Sequence, residues 1–124
     1  MNTHRTVLGL DPGALSQLPG YEPLRPGVDV LYLYKDVESG ASSALLRYEP
    51  GARVPEHRHE GYEHVLVLSG EQRDARGSYS AGTFVINPPG TCHEVSSPEG
   101  CLVLIIWQRP VAFTAQASPA EDTR

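Results

Sequence analysis

An all-β fold, a sandwich or small barrel of many short strands, is what this 124-residue sequence predicts. Three observations carry the expectation. Twelve glycines and eleven prolines punctuate the chain at short intervals. The runs between them are short and rich in β-branched and aromatic residues. No stretch sustains the apolar period of a long helix.

Taken in order, residues 1–27 read as an N-terminal extension with one brief helical turn at 12–18. Strands are expected at 28–35 (VDVLYLYK), 43–48 (SALLRY), 63–68 (EHVLVL), 83–86 (TFVI), 93–96 (HEVS) and 101–108 (CLVLIIWQ). Turn signals separate them: Pro50-Gly51, Ser69-Gly70, Arg76-Gly77, Ala81-Gly82, Pro88-Pro89-Gly90 and Pro98-Glu99-Gly100. Residues 110–124 read as a tail, and its last part, TAQASPAEDTR, is small, polar and expected to be loose. A single barrel over 28–109 accounts for the remainder, and the length fits one domain.

Composition excludes several roles. The formal charge is -5, and nine arginines and one lysine are scattered without a basic block, so nucleic acid is not an expected partner. Two cysteines, Cys92 and Cys101, are too few for a disulfide framework. They fit reduced thiols, with a lone bridge left open. The N-terminus lacks a basic stretch leading into an apolar core, so no secretory signal is read. The longest apolar run has seven residues, against about 20 for a membrane span. A cytoplasmic protein without a membrane partner is expected.

The chemistry concentrates in VPEHRHEGYEHVLVLSG, residues 54–70, which holds three of the five histidines beside three glutamates. Alternation along a strand puts His57 and His59 on one face and Arg58 on the other. Gly61 permits a turn that folds Glu63 back beside the histidines. If Glu63 points inward, Val65 and Val67 continue the lining, and His64 points outward with Leu66 and Leu68. Taken alone, an H-x-H pair fits a polar loop as well as a metal site. The wider spacing is more informative. Five residues separate Gly51 from His57, one His57 from His59, three His59 from Glu63, and six Glu63 from Gly70. A second block follows, with five residues between Gly82 and Pro88, one between Pro88 and Gly90, and two between Gly90 and His93.

These two blocks resemble the two signature motifs of the cupin superfamily, and Ser97 stands where asparagine is usual at the end of the second. More specifically, LLRYEPGARVPEHRHEGYEHVLVLSG and AGTFVINPPGTCHEVSSPEGCLVLI resemble the cupin domain of the anti-sigma factor ChrR and its stand-alone relatives. Only eleven residues separate Gly70 from Gly82, which suits that group, and the resemblance runs from Val28 to Gln108. It implies a double-stranded β-helix, a jelly-roll-like barrel, with metal ligands at His57, His59, Glu63 and His93. Three imidazoles and a carboxylate suit one divalent transition metal per chain: zinc or iron(II) first, then manganese, nickel or copper. The same four residues could instead be polar barrel residues hydrogen-bonded to one another.

Three functions stay open, because a fold does not fix a function. One is a metal-binding protein with a regulatory, sensor-like or small-molecule-binding role. A second is an iron dioxygenase acting on a small carbonyl or diketone compound, and the third is a non-catalytic structural cupin. Zinc held by three histidines and a glutamate is saturated. Iron(II) or manganese prefers six ligands and keeps positions open. About 27 residues without cysteine precede the first expected strand, so the zinc-holding anti-sigma domain of ChrR is not expected, nor is direct sigma-factor inhibition.

Other candidates are read as structural. Cys92 is expected to face away from the metal, and Cys101 to be buried. Tyr48, Tyr62, Phe84 and Trp107 are read as core ahead of a ligand-pocket lining, His4 as exposed, and Glu56, Glu60 and Glu94 as solvated. Both faces of the strands at 63–68 and 101–107 are apolar, so their outer sides need cover. The N-terminal segment and a second subunit are expected to provide it, giving a homodimer that packs around Leu66 and Ile105.

Overall fold

The structure, a computed structural model, describes residues 4, 6, 7 and 9–113. The short polar tail at 114–124 lies outside them. One helical turn, α1 (Pro12–Ser16), precedes the strands. Asp11 caps it by accepting from the Gly13 N–H at 3.2 Å, and Pro12 takes a first-turn position that needs no donor.

Ten strands follow: β1 (Glu22–Arg25), β2 (Val28–Lys35), β3 (Ser42–Tyr48), β4 (Ala52–Arg58), β5 (Glu63–Asp74), β6 (Gly77–Ser80), β7 (Phe84–Asn87), β8 (Cys92–Ser97), β9 (Cys101–Trp107) and β10 (Ala112–Phe113). They form a curled antiparallel sheet in the order β1-β2-β3-β9-β5-β8-β4-β10, with β6 and β7 also pairing on β5. The all-β expectation holds. Two strands lie outside the 28–109 span read as the barrel: β1 within the extension and β10 at the start of the tail.

β5 is the hinge of the architecture. Its first half pairs with β7 and β9, and its second half with β6 and β8. The change occurs at a bulge between Val67 and Ser69 and at Gly70, whose φ is 76°. Bulges and left-handed glycines bend strands, and here the bend rolls the sheet over its own inner face. Ser97, at the position where the family motif has asparagine, fastens the roll by donating from its hydroxyl to Glu71 O at 2.6 Å.

The core lies between the two halves of the curl. Val28, Val30, Leu46, Val65, Val67, Val103, Ile105 and Trp107 from one half meet Ala52 and Val95 from the other. Alternation along β5 is as expected: Glu63, Val65 and Val67 point inward. A second apolar cluster on the outer face joins Leu15 of α1 to Leu45 and Leu102. Arg47 pins that segment, donating to Ser16 O at 2.6 Å and stacking 4.0 Å from the Tyr21 ring. The N-terminal segment therefore covers part of the outer face, as the two-sided apolar strands require.

The rest of that face is open. Tyr34, Phe84 and Ile86 are each about half exposed, and Ile106 is 38% exposed. This corrects three expectations. Phe84 is not core, because Asn87 and Val85 take the inward positions of β7 and leave Phe84 and Ile86 outside. Tyr62 is likewise half exposed, whereas Tyr48 and Trp107 are buried as expected. Ile105 faces the core, so it is Ile106 that presents β9 outward. Among the described residues no helix is long and apolar enough to cross a membrane.

Candidate metal centre

His57 and His93 face each other directly across the β4–β8 pairing. β4 carries a bulge between Val54 and His57, where Pro55 lacks an N–H for the ladder, and the irregularity re-aims His57 into the interior. His59 follows β4 and is tied to the turn before β8 by two backbone bonds, His59 N–H to Thr91 O at 2.9 Å and Gly90 N–H to His59 O at 2.8 Å. The three rings form a near-regular triangle, with centroids 5.1, 4.7 and 4.7 Å apart. One nitrogen from each lies within 4.8 Å of the others. His57 is 4% exposed and His59 1%.

Each imidazole has its Nδ1 occupied. His57 Nδ1 donates to Pro55 O at 2.9 Å. His59 Nδ1 donates to Thr91 Oγ1 at 2.9 Å and Thr91 O at 3.0 Å. The Thr91 hydroxyl proton is itself committed to Pro88 O at 2.6 Å, which leaves its oxygen as acceptor. His93 Nδ1 donates to Asp74 Oδ2 at 2.9 Å. With the proton on Nδ1, each Nε2 carries a lone pair. His59 Nε2 and His93 Nε2 are buried with no hydrogen-bond partner. Two buried acceptors left unpaired cost about 1–3 kcal/mol each. A metal ion would satisfy them, so the donor set fits one.

Electrostatics keep the site in the ligating form. Burial pushes His57 down to about 4, against the opposing bond to Pro55 O. Burial also lowers His93, opposed by its bond to Asp74. Both are therefore neutral at physiological pH, as metal ligation demands.

Glu63 stands at the edge of this triangle. Its cross-strand neighbours are Asn87 on β7 and Trp107 on β9, and both hold its carboxylate. Asn87 Nδ2 donates to Oε1 at 3.0 Å and Trp107 Nε1 to Oε2 at 2.8 Å. His59 Nε2 lies 3.3 Å from Oε1 but is not hydrogen-bonded to it, in keeping with a proton on Nδ1. Burial works against the carboxylate charge, and the Asn87 and Trp107 N–H groups that donate to it favour the charged form. The structure gathers His57, His59 and His93 as one cluster, with Glu63 adjacent.

β10 closes the remaining side. Phe113 pairs with His57 and its ring sits 5.7 Å from the imidazole, while the Arg25 guanidinium covers the outer face of that ring at 4.4 Å. The cavity beside the site, between His57, Glu63, His93, Tyr48, Gln72 and Trp107, has a volume of about 30 Å³. A larger cavity of about 430 Å³ opens on the outer face near Tyr34, Tyr62 and His64 and does not reach the three histidines.

The chain matches the ChrR cupin-like domain over residues 15–112. It is a member of that family. Among solved structures, this ChrR-type cupin resembles the complex of Rhodobacter sphaeroides SigE with the anti-sigma ChrR, at 29% identity and a TM-score of 0.65, covering 75% of this chain and half of that one. It also resembles a cupin-like protein of unknown function from Ralstonia eutropha JMP134, at 21% identity and a TM-score of 0.71, covering 93% and 75%. A putative acetylacetone dioxygenase from Methylibium petroleiphilum PM1 superposes with a TM-score of 0.77 at 15% identity, covering 94% and 84%, a likeness of fold alone. No curated protein matches the chain.

The residues set aside in the sequence fall mostly where expected. His64 points outward against Tyr62 and Phe84, with ring centroids 6.5 and 5.5 Å away. Cys92 is exposed and Cys101 buried, both as free thiols. Asp74, Asn87 and Thr91 were not singled out. Their role depends on strands distant in sequence, and the only local sign was that an acidic residue opens the turn at Arg76-Gly77.

Proposed function

We propose that this ChrR-type cupin is a cytoplasmic, sensor-like metal protein in which His57, His59, His93 and Glu63 hold one divalent transition metal, zinc or iron(II) before manganese or nickel. The observation that carries the reading is the pair of buried, unpartnered Nε2 atoms on His59 and His93 with every Nδ1 already engaged. Glu63 is the carboxylate beside the Nε2 atoms, 3.3 Å from that of His59, while Asp74 stands behind His93 on its Nδ1, and Glu63 would offset much of a divalent charge. A bound ion would polarise a donor placed beside it. The chain's own part is to hold three imidazoles by their Nδ1 atoms, fix the carboxylate through Trp107 and Asn87, and exclude bulk water with Phe113.

The small space among the inward-facing residues favours sensing or a closed site over oxygenation of a diketone, while a cavity of about 540 Å³ borders His93 and Asp74 from the Cys92 and Glu94 side. A cavity of about 30 Å³ admits one or two waters, and a diketone of about seven non-hydrogen atoms needs several times that space. The dioxygenase alternative is supported by the identity of the cluster, since three histidines alone would leave positions for substrate. Oxygen consumption by the iron(II)-loaded protein with a small β-diketone separates the two. No uptake above buffer is expected, and saturable, stoichiometric uptake would establish the oxygenase instead. Glu63→Gln, which keeps the shape but removes the charge, is expected to bind zinc at least about tenfold more weakly with the fold intact. Unchanged affinity would remove Glu63 from the ligand set.

We also propose that a second copy covers the open outer face. Ile86, His64, Ile106 and Ser43 are successive partners across β7, β5, β9 and β3, with Tyr34 next in line on β2. This row carries no fixed charge. Half-exposed Tyr34, Tyr62, Phe84, Ile86 and Ile106 offer on the order of 500 Å² per copy, at the threshold for a stable pair. Sedimentation at micromolar concentration is expected to show a dimer that Ile86→Lys converts to monomer. A monomeric wild type would refute this interface.

A further inference from the structure

The turn between β5 and β6 holds a residue that reaches two sides of the metal centre at once. One nitrogen of Arg76, Nη2, donates to Asp74 Oδ2 at 3.1 Å and to Asn87 Oδ1 at 3.3 Å. Asp74 in turn accepts from His93 Nδ1 at 2.9 Å, and Asn87 donates to Glu63 Oε1 at 3.0 Å. The Asp74 side chain is 2% exposed and Asn87 as a residue 1%, whereas the Arg76 side chain is about half exposed. We infer that Arg76 is a positioning residue for the centre, setting His93 through Asp74 and Glu63 through Asn87.

Each branch has its own logic. A carboxylate facing Nδ1 fixes the proton there and leaves the Nε2 lone pair of His93 toward His57 and His59. Asp74 is itself held in place by the Arg76 backbone N–H at 2.9 Å and the Tyr79 hydroxyl at 2.8 Å, so Arg76 contributes both main chain and side chain. On the other branch the question is which way an amide points. Arg76 donates to the oxygen of Asn87, which turns the amide NH₂ toward Glu63. Without that donor, rotation of the amide would set its oxygen against the carboxylate. A planar guanidinium nitrogen with two hydrogens serves both acceptors, whereas a lysine ammonium has hydrogens enough but sits on a shorter stem and must reach both from a different position.

This inference rests on the proposed metal centre for its effect on affinity, but its structural content is independent of any metal. Two readouts on Arg76→Gln and Arg76→Lys therefore test it. In metal-free protein, nitrogen-15 spectra of the imidazole and amide groups are expected to show the His93 and Asn87 signals shifted in both variants. Zinc affinity, measured by competition with a chromophoric chelator, is expected to fall about tenfold in Arg76→Gln and less in Arg76→Lys. Both variants are expected to stay folded, since Asp74 keeps the main-chain N–H of residue 76 and the Tyr79 hydroxyl as donors. If wild type bound no zinc, the centre would fail while the spectra still decided the positioning role. Unchanged His93 and Asn87 signals in both variants would overturn it, as would wild-type zinc affinity in a zinc-binding background.

Discussion

Gly70→Ala is expected to lower the melting temperature by roughly 10 °C or more, or to prevent folding. Gly70 has a φ of 76°, a conformation that costs alanine on the order of 1 kcal/mol. The larger cost is steric. A Cβ there would run into the carbonyl oxygen of Gly100, and it would sit 2.8 Å from the Cys101 Cα. Both obstacles are backbone, part of the β9 start on which β5 pairs, so neither can swing aside. Overpacking of that kind adds about 1–3 kcal/mol or more, and each kcal/mol shifts the melting temperature of a domain this size by several degrees. Gly51→Ala is the control. Its φ is 86°, but nothing lies within 4 Å of the added Cβ, so only the conformational cost applies. Melting of Gly70→Ala within a few degrees of Gly51→Ala would contradict the steric account.

That comparison also shows what the glycine spacing encodes. Gly51 and Gly70 frame the first motif alike, yet one turns an open corner and the other bends β5 over the interior. The bend brings Asp74 back beside the centre that Glu63 begins, eleven positions earlier along the same strand. Spacing located both glycines, but only their surroundings distinguish them.

Much of the site was legible because its signals are local. Period-two alternation placed His57 and His59 together and Arg58 outside, and it ran Glu63, Val65 and Val67 inward. The strands that escaped are those without an apolar pattern. β4 reads ARVPEHR, with a proline and a bulge in it, and β6 reads GSYS. β1 and β10 are four and two residues long, too short for periodicity to register. Tyr62 and Phe84 were misplaced because aromatic character alone does not say which face of a strand is inward. Neighbouring Asn87 decides it for Phe84, by taking the buried position against Glu63. Asp74, Arg76, Asn87 and Thr91 were invisible as supports, since each acts only through contacts between strands that the fold brings together.

The account turns on one claim, that the buried histidine cluster is a metal site. The direct measurement is elemental analysis of wild type and His59→Ala, each purified without chelators and then offered zinc, iron(II), manganese and nickel in turn. His59 is the choice because its Nε2 is buried and unpartnered, and because alanine keeps the backbone bond to Thr91 O while the Thr91 hydroxyl keeps its bond to Pro88 O. Wild type is expected to hold about one metal per chain. His59→Ala is expected to lose more than about 100-fold in affinity, beyond the range for losing a supporting partner, while retaining the β-sheet spectrum of wild type. A wild type that takes up none of the four metals, or a His59→Ala variant that binds as wild type does, would contradict it.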